Sequence, residues 1–203
     1  MLEDISRLTD NINRILDLAR IESQNFDSEV VRESLVDVVE DFCKKNESLF
    51  RECDIRISNP SQGRFEYPVN RFLFEMLLMN IVSNAIKYNA SGHPELEIVF
   101  NAHLQKVTID FIDNGIGVDR QETRKIFRKF YQSDRENRQR VSGSGLGLYL
   151  VSSIARIHGW RVSVSSEGKG CGSRFTITIP WTAIANVREK NIWKQLKKNV
   201  FWS

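Results

Sequence analysis

Two side-chain amides, Asn80 and Asn84, stand four residues apart in a stretch otherwise rich in apolar residues. On a helix that spacing puts both on one face. Amide oxygens are hard ligands that suit Mg²⁺ in company with phosphates and water, although the same pair would also serve to cap or bridge loops. Lys87 falls on nearly the same face and can neutralise phosphate charge, and Tyr88 beside it can cover a base. Further on, Asp113 is followed by Asn114, Gly115, Ile116 and Gly117. The carboxylate can accept the exocyclic amine of adenine, and the glycines let the backbone approach a flat base. The same pattern also describes ordinary turns and some calcium loops. A third run, Gly143, Ser144, Gly145, Leu146, Gly147 and Leu148, opens a helix. Its exposed N–H groups beside a helix N-terminus favour phosphate oxygens. The spacing is G-x-G-x-G, which is not the dinucleotide fingerprint, and no G-x-x-x-x-G-K-[ST] loop occurs anywhere in the chain.

The elements that must position these residues follow from periodicity. A helix is expected over 28–50, with Val30, Leu35, Val38, Val39 and Phe42 on one side, then short strands over 54–58 and 64–67. A long helix begins near 68–70 and runs through Lys87, with Phe72, Met76, Leu77, Ile81, Val82 and Ala85 on its buried side. Strands over 96–101 and 106–113 flank a turn at 103–105, and a helix over 146–158 precedes strands over 161–165 and 173–179. Between them, 114–145 is Gly-rich, then charged, then Gly-rich again, as functional or mobile segments are. The order lacks the strict alternation of a parallel doubly wound sheet, so an α/β (α+β) two-layer sandwich is expected. Ahead of it, Leu2, Ile5, Leu8, Ile12, Ile15 and Ala19 recur at helical steps. That stripe suits a bundle, a second copy, or the surface of its own domain.

With 203 residues the chain has room for one sizeable core and a smaller appendage. The net charge of +3 resides largely in a tail carrying Arg188, Lys190, Lys194, Lys197 and Lys198, and basic residues do not interleave with aromatics. Nucleic acid is therefore not an expected partner. Cys43, Cys53 and Cys171 form no C-x-x-C pair and read as free thiols in a reducing compartment. No signal peptide is evident and no apolar run approaches the ~20 residues that span a bilayer. A soluble, cytoplasmic chain is expected, which leaves room for the cytoplasmic portion of a membrane receptor.

Taken in order, residues 80–88, 113–117, 127–131 and 143–148 resemble the N, G1, F and G2 boxes of histidine kinases, and 168–172 resembles their further glycine segment. The resemblance covers about 54–180. It implies the Bergerat fold, a mixed sheet backed by helices, with ATP held between the N-box helix and a mobile lid. Carried over residue by residue, Asn84 is the Mg²⁺ ligand, with Asn80 supporting the metal or phosphates. Lys87 contacts phosphate, Tyr88 packs near the base and Asp113 binds the adenine amine. Gly115, Gly117, Gly143, Gly145 and Gly147, with Leu146 and Leu148, shape the pocket and the ends of the lid. Phe127 and Phe130 anchor that lid, and Arg128, Lys129, Arg135, Arg138 and Arg140 are its candidates for the γ-phosphate. Many relatives carry arginine where this chain has Gln132.

The resemblance further implies 1–25 as the end of a dimerisation helix and 26–180 as the catalytic domain, and past it Ile192, Leu196 and Val200 recur among lysines, so 181–203 reads as a basic amphipathic tail. The tail would dock, bind a membrane surface or lead into a linker. The expected reaction is transfer of the ATP γ-phosphoryl to a histidine lying upstream or in trans, then on to a response regulator receiver domain, within a homodimer. His93, His103 and His158 lack the acidic neighbour of such an acceptor, and His158 reads as structural. Chaperone, topoisomerase and mismatch-repair ATPases, and serine kinases of the same fold class, place glutamate where this chain has Asn80. An amide cannot act as a general base, which leaves them, and a regulatory or scaffold module, as alternatives.

Overall fold

Ser34 ends a strand and starts a helix. In the computed structural model, which describes residues 30–89, 91–133 and 144–181, β1 (Val31–Ser34) pairs antiparallel with β3 (Glu66–Val69), Val31 opposite Val69. The Ser34 hydroxyl then donates to Arg64 O at 2.9 Å and accepts from Asp37 N at 3.2 Å, capping α1 (Leu35–Lys45). The single helix expected over 28–50 is thus a strand, a capped helix and a short α2 (Glu47–Phe50). A β-branched residue ahead of a capping serine explains the difference. β2 (Asp54–Ser58) lies where expected. β3 starts later than its expected bounds because Phe65 takes a φ of +51°, which a strand does not accommodate.

α3 (Arg71–Lys87) is capped by Asn70, whose side chain accepts from Leu73 N at 3.1 Å. Leu73, Phe74, Leu77, Leu78, Ile81, Val82 and Ala85 are all buried, so the helix is apolar nearly all round, as a helix covered on several sides is. Phe72, expected on the buried side, is instead 51% exposed, and Met76 is half-buried.

β4 (Glu95–Ala102), β5 (Lys106–Asp113), α4 (Gly147–Ile157), β6 (Arg161–Ser165) and β7 (Ser173–Pro180) complete the described elements. The five-stranded sheet runs β2-β4-β5-β7-β6, parallel at β2/β4 and antiparallel elsewhere. Leu96, Ile98, Phe100, Val107, Ile109, Phe111, Phe175, Ile177 and Ile179 alternate inward and form one core with the helices. The result is the expected α+β two-layer sandwich. On the outer face Asp110 accepts from Thr176 Oγ1 at 2.6 Å and Asn101 Nδ2 at 3.2 Å. Trp181 closes the far end, its N–H on Gln105 O and its indole N–H on His103 O. The helix expected over 1–25, Arg135, Arg138, Arg140, Gly143 and residues 182–203 of the tail lie outside the described residues.

Candidate functional site

The C-terminal half of α3 presents the amides. Asn80 is 9% exposed and its Nδ2 donates to Met76 O at 2.8 Å, which leaves Oδ1 as the atom able to meet a cation or its water. One turn on, the half-buried Asn84 makes no side-chain hydrogen bond to any described residue. Lys87 Nζ stands 5.4 Å from the centre of the Tyr88 ring. The helix end is then fastened to the loop after β5, because Ile116 N donates to Tyr88 O at 3.0 Å.

Asp113 ends β5. Its Oδ1 accepts from Gly115 N at 2.8 Å and from Ser173 N at 3.1 Å, while Oδ2 meets no donor among the described residues. Burial pushes the carboxyl above its ordinary pKa, and the two backbone N–H groups work against that shift. The floor is bare backbone. A Cβ at Gly115 would lie 2.8 Å from Asp113 Oδ1 and 2.9 Å from Tyr88 O, and one at Gly117 would collide with Gly168 O. Residues 166–172 form the layer beneath, with Gly170 N on Ile116 O at 2.8 Å and Gly172 N on Gly115 O at 3.0 Å.

The second wall is built from the F-like and third glycine segments. Phe127 packs edge-on against Phe175, ring centres 6.5 Å apart. Phe130 is 63% exposed and sends its N–H to Gly145 O at 3.0 Å; a Cβ on Gly145 would lie 2.6 Å from the Phe130 carbonyl carbon. Lys129 Nζ lies 5.8 Å from the Phe130 ring centre and 5.8 Å from that of Tyr149. Buried Leu146 takes the cap position of α4 and provides no side-chain acceptor. The amides of the first turn, at Gly147 and Leu148, are therefore left to solvent or an anion. The two walls are joined by the packing of α3 against α4.

These residues fit a purine nucleotide with Mg²⁺: a glycine floor that a Cβ would fill, a half-committed buried carboxyl, an uncommitted amide and an uncapped helix start. Among the described residues no group of three or more His, Cys, Asp or Glu is placed to hold a metal, so a cation here would rest on amide and phosphate oxygens. Three contributors carry no sequence signal of their own. Ser173 becomes visible only through the register that sets it opposite Asp113. Ser166 bonds Gly168 O and Gly172 O. Asn114 ties Asn89 Nδ2 and Glu95 N to its Oδ1. His158 is structural: its Nδ1 donates to Ile154 O at 2.9 Å, its Nε2 accepts from Asn70 N at 3.2 Å, and burial pushes its pKa down to about 4.

The chain is 29% identical over 179 residues to the autoinducer 2 sensor kinase/phosphatase LuxQ of Vibrio parahaemolyticus serotype O3:K6, covering 83% of this chain and 20% of that protein. It thus spans about a fifth of that relative's length. Full-length ShkA, solved in complex with AMPPNP, shares the fold at a TM-score of 0.71 and 21% identity over 88% of this chain and 36% of its own. Histidine kinase ThkA, solved with response regulator protein TrrA, does so at 0.66 and 21%, over 88% of this chain and 48% of its own. No helix among the described residues is long and apolar enough to cross a membrane. Residues 70–183, more than half of the chain, match the family of histidine kinase-, DNA gyrase B-, and HSP90-like ATPases, and the chain belongs to that family.

Proposed function

We propose that the chain binds Mg·ATP between α3 and the 113–117 loop and passes the γ-phosphoryl to a histidine imidazole presented by another domain, as the catalytic part of a histidine protein kinase. The observation that carries this reading is Asp113, a buried carboxyl with Oδ1 held by two backbone amides and Oδ2 uncommitted, above a floor of glycine. Oδ2 accepts the adenine amine, and Tyr88 packs against the base. Asn84, supported by Asn80, turns its amide oxygen to the cation, while Lys87, Lys129 and Arg128 offset phosphate charge. The amides of Gly147 and Leu148 receive phosphate oxygens at the start of α4. When bound, Mg²⁺ neutralises charge spreading over the transferred group.

Asn80 favours phosphoryl transfer to histidine over hydrolysis. A water or serine nucleophile needs a base, which an amide does not supply, whereas a neutral imidazole attacks unaided. The named sensor-kinase relative and the AMPPNP complex of ShkA support the reading. We place the acceptor histidine upstream or in a second copy within a cytoplasmic homodimer, with a response regulator receiver domain as the next partner. Residues 1–25 would end the dimerisation helix, 26–180 form the catalytic domain and 181–203 the tail. The test is calorimetry of Mg·ATP binding by the parent chain, Asp113→Asn and Asn84→Ala. Losing a charge-assisted hydrogen bond should weaken binding about tenfold or more in Asp113→Asn. Asn84→Ala should weaken Mg·ATP but leave adenosine binding unchanged. A parent chain that binds no Mg·ATP would overturn the proposal.

A further inference from the structure

Glu122 belongs to none of the glycine or asparagine motifs, yet its carboxylate gathers two hydroxyls from the far side of Phe130. Tyr131 Oη donates to Oε1 at 2.9 Å, and Ser133 Oγ lies 2.7 Å from Oε1 and 2.9 Å from Oε2. Between these groups and Gly145, Phe130 holds a φ of +62°, a conformation that residues other than glycine avoid. Such a conformation persists only where the surroundings over-determine it. On its amino side Phe130 is fixed by its own N–H on Gly145 O. On its carboxyl side the next residue and the third are tied to Glu122. The Glu122 end is itself anchored: its carbonyl accepts from Lys125 N at 2.7 Å and Ile126 N at 3.0 Å, and Phe127 follows into its contact with Phe175. Where Phe130 stands also decides where the Lys129 ammonium stands, between the Phe130 ring and Tyr149 in the first turn of α4.

We propose that Glu122 is a positioning residue of the nucleotide site: by clamping Tyr131 and Ser133 it keeps Phe130 and Lys129 against the Gly145 turn, where α4 begins and the phosphates are to be bound. The inference rests on the nucleotide-binding reading above. A clamp requires acceptor oxygens rather than charge, so glutamine should serve in place of glutamate and alanine should not.

The experiment is Mg·ATP calorimetry with the full chain as parent, Glu122→Ala, Glu122→Gln, and the pair Tyr131→Phe/Ser133→Ala, each with a thermal melt. Glu122→Ala should bind about tenfold more weakly, the scale of one or two lost hydrogen bonds. Glu122→Gln should return to within about threefold of the parent. The hydroxyl pair should match Glu122→Ala, and all three changes together should be no worse than either, as for groups acting as one unit. If Glu122→Ala melts well below the parent, the hydroxyl pair, which leaves the carboxylate in place, decides by the same criterion. Parent-like binding by Glu122→Ala overturns the clamp alone. So does a glutamine variant as weak as alanine beside a hydroxyl pair that binds like the parent, because charge would then be what matters. No binding by the parent overturns the nucleotide reading and the clamp with it.

Discussion

A methyl group on Gly117 would collide with Gly168 O and crowd Ser166 Oγ, and the backbone there takes a φ of +74°. Two loops would have to separate, and they are the loops that form the floor of the candidate site. Gly117→Ala should lose about 2–3 kcal/mol of stability, combining left-handed strain with overpacking, and its nucleotide affinity should fall with it. Gly92 provides the control, since its φ is +78° but a Cβ there meets nothing within 4 Å. Gly92→Ala should lower stability only by the backbone part, about 1 kcal/mol. Denaturant melts of the two variants make the comparison, and equal losses would show that the loop contact is not what matters. Asn84, Asp113 and the glycines were conspicuous in the sequence as candidates because their types are costly in ordinary structure and call for a reason. Ser173 and Glu122 were not. A serine contributing a backbone N–H carries no chemical signature, and its partner Asp113 is 60 residues away. A glutamate in a charged loop looks like any solvated side chain until Tyr131 and Ser133 are seen around it.

At the scale of elements, α3 and α4 are fastened at one end by a single neutral imidazole. His158 stacks on Trp160 at 4.5 Å and accepts the N–H of Asn70, the residue that caps α3, while donating to Ile154 O of α4. Protonation would turn the accepting nitrogen into a donor facing a donor. The folded pKa of about 4 lies below the ordinary 6.5, so the unfolded chain takes up the proton first. The stabilisation is therefore complete above pH 6.5 and is lost as pH falls through 4. It amounts to about 3 kcal/mol over that window. Urea midpoints at neutral and mildly acid pH should reveal the slope, and His158→Gln should flatten it while lowering stability at neutral pH. An unchanged slope in the variant would assign it to other groups. The positions of α3, β4, β5, α4, β6 and β7 were legible from their periodicity. What misled was packing. Phe72 satisfies the stripe, but α3 is covered on several sides, so its burial follows from its neighbours rather than from a single face. Likewise 31–34 reads as helical until β3 is present to pair with it.

For the molecule as a whole, the site is built at one end of the elements that carry it. Tyr88 ends α3, Asp113 ends β5 and Gly147 begins α4, whereas Trp181 is tied to Gln105 and His103 at the start of β5, and Val31 pairs with Val69 just ahead of α3. The described body is thus entered and left at the ends of α3 and β5 away from the candidate site. An acceptor joined through either point must be brought round to the site by a connecting segment or supplied by a second copy. The chain has three histidines. His158 is sealed in the core with both ring nitrogens engaged, His93 lies in the exposed loop ahead of β4, and His103 lies in the turn beyond the start of β5, with its Nε2 3.3 Å from Thr108 Oγ1. His158 and His103 thus lie away from the candidate site, whereas His93 lies at its end of the sheet, its carbonyl accepting from Asn114 Nδ2 at 2.9 Å, and lacks the acidic neighbour of an acceptor. Incubated alone with γ-labelled Mg·ATP, the chain should acquire no acid-labile, base-stable label. Adding a separate dimerisation fragment that carries an acceptor histidine should produce such a label on that fragment, at a rate that rises with fragment concentration and, at subsaturating Mg·ATP, falls about tenfold or more with Asp113→Asn. A base-stable label on the chain itself, lost in His93→Ala or His103→Ala, would move the acceptor onto this body and replace transfer between domains with transfer between copies of it.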